Sequence, residues 1–171
     1  NIYCSSYVKS KLYKKSFENK NNLIFLDIGF ERSSAFFFRN KKFKFLKSIP
    51  IGGNNITKDI SKVLNLDLNY SEDLKLKFNK DEKEVSFNKN SSSDINLYSE
   101  LIKKNISIDL LKQIIEARVN EIIKLAVTQN NFFKNNTSAS KPIVIFIGGG
   151  SKLLSKNFNF DFNKGFSELI F

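Results

Sequence analysis

Residues 23–49 decide the fold, and they read LIFLDIGFERSSAFFFRNKKFKFLKSI. Residues 23–28 are apolar apart from Asp27, residues 34–38 are apolar after Ser34, and apolar and polar residues alternate over 43–49. A glycine-containing turn and a polar tip separate these runs, which is the pattern of three short β-strands. Connections this short join antiparallel neighbours, so the stretch predicts a three-stranded antiparallel meander.

Helices and one further strand are predicted around the meander. The end of a short helix is expected at 5–12. After Pro50 and two glycines, the spacing of Ile56 and Ile60 predicts the apolar face of another helix. The remaining expectations are a helix at 71–78, a loop at 79–99 with a short strand at 84–87, a helix at 107–129 and a buried strand at 142–147. This order of elements indicates a mixed α/β fold.

The composition excludes several classes of protein. The 171 residues include 41% hydrophobic residues and 18 Phe, which is enough for a buried core. No apolar run approaches the ~18 residues of a membrane-spanning helix, and no signal peptide is visible. With one Cys and no His, the chain cannot form an internal disulfide, a zinc site of the usual ligands or a Ser-His-Asp triad. The absence of Met and the opening residue Asn1 favour a fragment of a longer protein.

The net charge of +11 is attributed to a solvated, lysine-rich surface. Only Arg32, Arg39 and Arg118 are arginines, the residue type that makes bidentate contacts with bases and phosphates. Lys, Asn, Phe and Ile have A/T-rich codons, so a genome of low GC content explains their heavy use. We therefore expect no nucleic-acid partner, and an anion-binding protein that uses its lysine-rich surface stays an alternative.

The first candidate for nucleotide chemistry is the end of the strand at 23–28. Asp27 lies beside Gly29 there, so a carboxylate can face a hydrated Mg²⁺ while backbone N–H groups approach phosphate. An ordinary hairpin turn explains the same residues.

The second candidate is the run of Gly148, Gly149 and Gly150 after the late strand, followed by Ser151. Without Cβ atoms, the bend lets a flat ligand lie against bare backbone, and a helix that begins at Ser151 favours an anion. The alternative is a strand-to-helix turn without a binding role. Neither candidate matches the Walker or dinucleotide-binding fingerprints.

A third candidate is the pair of Glu72 and Lys75, which are three residues apart and share one face of the predicted helix. A surface ion pair is the simpler interpretation.

The order of these motifs, rather than any one of them, points to a family. The closest similarity lies at 50–77, where a Pro-x-Gly-Gly-Asn run is followed by an x-Asp-Ile helix and a Glu-x-Leu-Lys helix. Residues 114–122 are similar to the long helix of that family's fourth subdomain. Over about residues 4–154, the chain resembles the second half of the bacterial cell-division protein family FtsA, within the actin-like ATPases.

The resemblance implies an α/β fold of the actin-like ATPase (ribonuclease-H-like) type, present as a partial domain, and ATP with Mg²⁺ as the ligand. The residues that it implies for nucleotide binding are Asp27, Gly29, Glu72, Lys75, Gly148, Gly149, Gly150 and Ser151. Asp27 also faces the metal, the glycine turn holds the adenosine, and Glu72 and Lys75 approach adenine and ribose.

The resemblance also divides the chain into four parts. They are 1–22, the end of the first lobe and a connector; 23–54, the second-lobe sheet with the second phosphate loop; 55–130, a helical subdomain of the FtsZ-binding type; and 131–171, the return strand with the adenosine motif and a truncated C-terminal part.

The partners that the resemblance implies are those of a scaffold at the division site. The C-terminal tail of FtsZ is expected to bind the 55–130 subdomain, with Lys112, Arg118 and Lys124 as the contacts. By the same resemblance, the protein is expected to self-associate into filaments and to lie on the cytoplasmic face of the inner membrane. A C-terminal membrane helix that is absent from this chain is expected to anchor it there.

One departure from the family pattern bears on catalysis. The second phosphate loop of the family reads Asp-x-Gly-Gly-Gly-Thr-Thr, and Phe30 and Glu31 stand where two of its glycines would be. A ring and a negative charge near the γ-phosphate oppose phosphoryl transfer, so we expect weak hydrolysis or none. Another actin-like ATPase, or a sugar or acetate kinase on the same fold, is the alternative.

Overall fold

The computed structural model describes residues 5–17, 20–84, 106–129, 141–154 and 168–170. The predicted loop beyond residue 84, with most of its short strand, lies outside these residues. The described strands form one mixed sheet in the order β3-β2-β1-β4-β5. Their bounds are Asn22–Ile28 for β1, Ser33–Arg39 for β2, Lys42–Ile49 for β3, Ile143–Ile147 for β4 and Glu168–Ile170 for β5.

The pairing of the strands confirms the meander. β1 pairs with β2 and β2 with β3, both antiparallel, whereas β4 lies parallel to β1 and β5 parallel to β4. β1 is central because its apolar run is buried on both faces of the sheet. The carboxyl ends of β1 and β4 therefore lie side by side, which places the two predicted loops at one edge.

The described helices are α1 (Ser5–Lys14), α2 (Gly53–Leu64), α3 (Leu68–Glu84) and α4 (Ile108–Ile123). A π-helical turn, Lys124–Thr128, continues α4, and short 3₁₀ helices span Lys15–Phe17 and Gly149–Leu153. No helix in the described part of the chain is long and apolar enough to span a bilayer.

The sheet has a helical layer on each face. On one face, Ile24 and Leu26 of β1 pack into the main core with Ile60 of α2 and Ile115 and Ile122 of α4. Each of these side chains is fully or almost fully buried, which stabilises the fold by ~1.5–3 kcal/mol per side chain. The other face holds a smaller cluster that includes Leu23 and Phe25, and Tyr7 of α1 packs against it.

One element differs from the prediction. Residues 79–84 were expected to form a loop, but they are the last turns of α3, and Glu84 ends that helix rather than opening a strand. The expectation rested on polarity alone. Lys80, Glu82 and Lys83 are good helix formers, so the helix that buries Phe78 continues into polar sequence.

Candidate functional site

The candidate site lies at the carboxyl ends of β1 and β4. Asp27 of β1 is the register partner of Ile147 of β4, so the end of β1 lies beside the end of β4, which leads into Gly148. In open sheets with parallel strands, ligands bind outside these carboxyl ends. The structure therefore brings together two of the sequence candidates that are far apart along the chain.

The Asp27 carboxylate is buried against the glycine turn. Its side chain is only 7% exposed, and a Cβ built on Gly148 would lie 2.0 Å from Asp27 Oδ1. Gly148 has a φ of 88°, a backbone conformation that other residues rarely adopt. Close packing between a carboxylate and bare backbone thus requires glycine at this position.

The three consecutive glycines have different roles. A Cβ on Gly150 would lie 2.4 Å from Ile28 Cγ2, so Gly150 is required by packing. A Cβ on Gly149 would meet nothing within 4 Å, which leaves its side of the turn open. Ser151 donates from Oγ to the Gly148 carbonyl over 2.7 Å and closes the turn. Gly149 is therefore the position in this turn where a ligand has room to approach.

The residues present fit a hydrated Mg²⁺ held together with a nucleotide. Within the described segments, no group of three or more His, Cys, Asp or Glu residues could hold a metal ion by itself. Mg²⁺ keeps several waters and is commonly held by one or two carboxylates plus phosphate oxygens. The buried Asp27 carboxylate is a group of that type.

The hairpin loop at Gly29 is bonded to the start of α2. Gly29 N–H donates to the Arg32 carbonyl over 3.0 Å, and the Gly29 carbonyl accepts from Gly53 N–H over 2.9 Å. Asn54 contributes two bonds, from its N–H to the Phe30 carbonyl at 2.8 Å and from Nδ2 to Glu31 Oε1 at 2.8 Å. The Glu31 carboxylate is thus held towards α2, while the Phe30 ring is 59% exposed.

The pair of Glu72 and Lys75 is not an ordinary surface ion pair. Lys75 is 4% exposed, and its Nζ lies 2.6 Å from Glu72 Oε2, 2.8 Å from Thr57 Oγ1 and 3.1 Å from the Gly53 carbonyl. Thr57 Oγ1 also donates to Glu72 Oε2. The cluster links α3 to the start of α2, and α3 in turn contacts the 3₁₀ helix Gly149–Leu153.

The ionisation of Glu72 reflects this environment. Burial by itself raises the pKa of Glu72, but the hydrogen bonds from Lys75 and Thr57 and the positive charge of Lys75 outweigh burial. The pKa of Glu72 is therefore lowered, and the carboxylate is negative at neutral pH.

The expected partner-binding residues lie on α4 in different environments. Arg118 binds both carboxylate oxygens of Asp59, with Nη2 to Oδ1 at 2.8 Å, and also pairs with Glu121. The hydrogen bond to Asp59 is the main cause that raises the pKa of Arg118. Lys112 forms a looser pair with Glu116 at 4.0 Å, and Lys124 is exposed.

A groove of about 510 Å³ lies between α2 and α4, beside Arg118. Val63 and Leu110 line it and are 56% and 40% exposed. No sequence pattern indicated this groove. The sequence likewise did not indicate three partners of site residues, namely Asp59, Asn54 and Thr57. Each of them meets its partner only because separate elements pack together.

The fold is shared with known structures. The structure is similar to the crystal structure of an archaeal actin homologue, with a TM-score of 0.51 and 14% identity over 99% of this chain and 48% of that one. It also matches the ethanolamine utilization protein EutJ from Carboxydothermus hydrogenoformans, with a TM-score of 0.48 and 16% identity over 78% of this chain and 38% of that one. The fold is that of the actin-like ATPases, as predicted.

Sequence comparison places the chain within that class. The sequence model of the family "Cell division protein FtsA" matches residues 24–155, so the chain belongs to the FtsA family. A cell division protein FtsA of Buchnera aphidicola subsp. Schizaphis graminum is 25% identical over 161 residues, which are 90% of this chain and 38% of that relative. The chain thus spans well under half the length of that relative.

Proposed function

We propose that the chain is the nucleotide-binding and partner-binding part of a division scaffold of FtsA type, which ties FtsZ filaments to the cytoplasmic face of the inner membrane. The whole protein would self-associate into filaments, and a membrane helix would hold these filaments at the bilayer. The observation that carries the proposal is the close approach of the buried Asp27 carboxylate to Gly148, next to the open side of Gly149.

The nucleotide part of the proposal places the adenosine of ATP against Gly149 and Mg²⁺ near Asp27. The ammonium group of Lys75 is already bonded within the protein, so this residue positions α2 and Glu72 rather than binding the ribose directly. Glu72 Oε2 accepts the hydrogen bonds from Thr57 and Lys75, and the Glu72 side chain is 32% exposed. Its other oxygen is the proposed acceptor for a ribose hydroxyl.

Hydrolysis is expected to be very slow or absent, because Phe30 and Glu31 replace the glycines that let a loop approach the γ-phosphate. The measurement is phosphate release from Mg-ATP by the full-length protein, beside a variant with Phe30→Gly and Glu31→Gly. Robust turnover by the natural sequence, unaffected by the double change, would place the phosphate site elsewhere.

The partner part of the proposal places the FtsZ tail in the groove between α2 and α4. Val63 and Leu110 offer exposed apolar contacts there. The charge of Arg118 is balanced by Asp59 and Glu121, so an acidic tail residue must compete with these carboxylates. Lys112 and Lys124 contribute at the rim, where each charge is worth at most ~1 kcal/mol.

Leu110→Asp is expected to weaken binding of a synthetic FtsZ-tail peptide about tenfold or more, because it introduces a charge into the apolar part of the groove. Fluorescence anisotropy of a labelled peptide measures the change. Leu76→Asp is the matched control, since Leu76 is 50% exposed on α3 and does not line the groove. Equal weakening by both variants would remove the groove from the proposal, and no binding by the unmodified chain would refute tail recognition.

A further inference from the structure

The glycine turn and the loop after β1 lie on either side of the Asp27 carboxylate. A Cβ on Gly148 would lie 2.0 Å from Asp27 Oδ1 and 3.0 Å from the Ile28 carbonyl oxygen, so the turn packs against the last residues of β1. The loop 29–32 follows β1 directly. With the adenosine at Gly149, as proposed above, phosphates that extend past Asp27 bring their terminal group to this loop.

The backbone donors beside the loop are already used within the protein. The first two N–H groups of α2, those of Gly53 and Asn54, donate to the carbonyls of Gly29 and Phe30 over 2.9 and 2.8 Å. A Cβ built on Gly52 would lie 2.5 Å from the Phe30 carbonyl oxygen, so the loop also packs closely against the turn before α2. The start of a helix commonly binds a phosphate through such N–H groups. Here the loop takes the place of that phosphate.

The buried cation beside the loop is also paired within the protein. Lys75 Nζ donates to Glu72 Oε2 over 2.6 Å and to Thr57 Oγ1 over 2.8 Å. The same ammonium group lies 5.9 Å from the centre of the Phe30 ring in the loop. Arg32 is exposed, so solvent and salt screen its charge. A terminal phosphate therefore gains little attraction from these two cations.

The loop instead presents a fixed negative charge. Asn54 Nδ2 donates to Glu31 Oε1 over 2.8 Å, and the Asn54 N–H bond to the Phe30 carbonyl fixes the same loop to α2. Because the Glu31 side chain is exposed, its carboxylate is accessible to a ligand. Two bonds from one residue thus hold the loop and its carboxylate in place together.

We propose that Glu31, held by Asn54, makes the site select a nucleoside diphosphate over a triphosphate. The inference rests on the proposed function, because it takes the adenosine position at Gly149 from there. The third phosphate of ATP brings additional negative charge towards Glu31, and juxtaposed like charges oppose binding. ADP ends one phosphate earlier and avoids this contact. Selectivity of this kind comes from a repulsive group rather than from an added attraction.

The test is calorimetric titration of the full-length protein with Mg-ADP and, separately, with Mg-ATP. We expect the natural sequence to bind Mg-ADP at least about tenfold more tightly than Mg-ATP. Glu31→Gln keeps an acceptor for Asn54 Nδ2 but removes the charge, so it should tighten Mg-ATP binding and leave Mg-ADP binding unchanged. Asp109→Asn is the matched control, because it removes an exposed carboxylate on α4 and should keep the preference.

Asn54→Ala tests the positioning of the carboxylate. Without the Nδ2 donor, Glu31 is free to turn away from the ligand, so the preference for Mg-ADP should fall while Mg-ADP affinity is kept. In the Glu31→Gln background the same substitution should have no further effect on the preference, which a merely structural role of Asn54 would not predict. Equal effects of Asn54→Ala on the preference in both backgrounds would remove Asn54 from the proposal.

The other outcomes separate this proposal from the proposed function. Equal affinities of the natural sequence for Mg-ADP and Mg-ATP would overturn the selectivity and leave the nucleotide site in place. Weaker binding of both nucleotides to Glu31→Gln would make Glu31 a metal ligand and would also overturn it. Binding of neither nucleotide by the natural sequence would refute the proposed nucleotide site itself, and this proposal with it.

Discussion

Replacing Gly148 by Ala is expected to destabilise the folded chain by more than ~3 kcal/mol. The new Cβ would lie 2.0 Å from Asp27 Oδ1 and 3.0 Å from the Ile28 carbonyl, so the end of β1 must move. The backbone adds to this cost, because a φ of 88° with a ψ of 176° strains any residue other than glycine by ~1–3 kcal/mol. The midpoint of urea unfolding measures the change.

Gly149→Ala is the control for this prediction. A Cβ there meets nothing within 4 Å, so the free energy of unfolding should change by less than ~0.5 kcal/mol. Similar effects of the two substitutions would mean that the turn does not pack against Asp27 as described.

Lys75→Met is expected to cost ~2–3 kcal/mol of folding free energy. The substitution keeps the apolar stem but removes the donor that Glu72, Thr57 and the Gly53 carbonyl share. The estimate lies below that for a fully buried pair, because Glu72 is 32% exposed and regains some hydration. Lys112→Met removes a pair at 4.0 Å on the surface and should cost under ~0.5 kcal/mol.

The pH dependence provides a second test of the Lys75 cluster. Because the pKa of Glu72 is lowered in the folded chain, its contribution to stability is present above the unfolded pKa. That contribution is lost as the pH falls through the folded value. The difference in unfolding free energy between the natural chain and Lys75→Met should therefore shrink in acid. A difference that stays constant over this range would contradict the proposed ion pair.

Much of the fold could be predicted because the sheet is built from strong local patterns. The apolar runs in 23–49 lie close together in sequence, and their short connections permit little besides a meander. β5 was missed because it has only three residues, Glu168–Ile170, which are too few to show a periodic pattern. They form a strand through their pairing with β4. The end of α3 was missed because helix propensity, not an apolar face, extends it to Glu84.

The candidate site could be predicted in its residue types but not in its contacts. Asp27 and the glycine turn were both candidates, yet only the parallel pairing of β1 and β4 shows that Gly148 packs against the carboxylate. The spacing of Glu72 and Lys75 indicated an ion pair but not its burial, which depends on Thr57 of α2. Arg118 has its main partner, Asp59, on another helix, and local spacing cannot reveal such a contact.

The most direct test of nucleotide binding at this edge is calorimetric titration of the full-length protein with Mg-ATP, comparing Gly149→Val with the natural sequence. The open space at Gly149 should keep the variant folded while the branched side chain occupies the proposed adenosine position. Lys58→Val, an exposed change on α2, is the control. We predict that Gly149→Val binds Mg-ATP at least tenfold more weakly, which is a loss of at least about 1.4 kcal/mol of binding free energy. The affinity of the control should be unchanged. Equal affinities for all three proteins would contradict a nucleotide site at this turn.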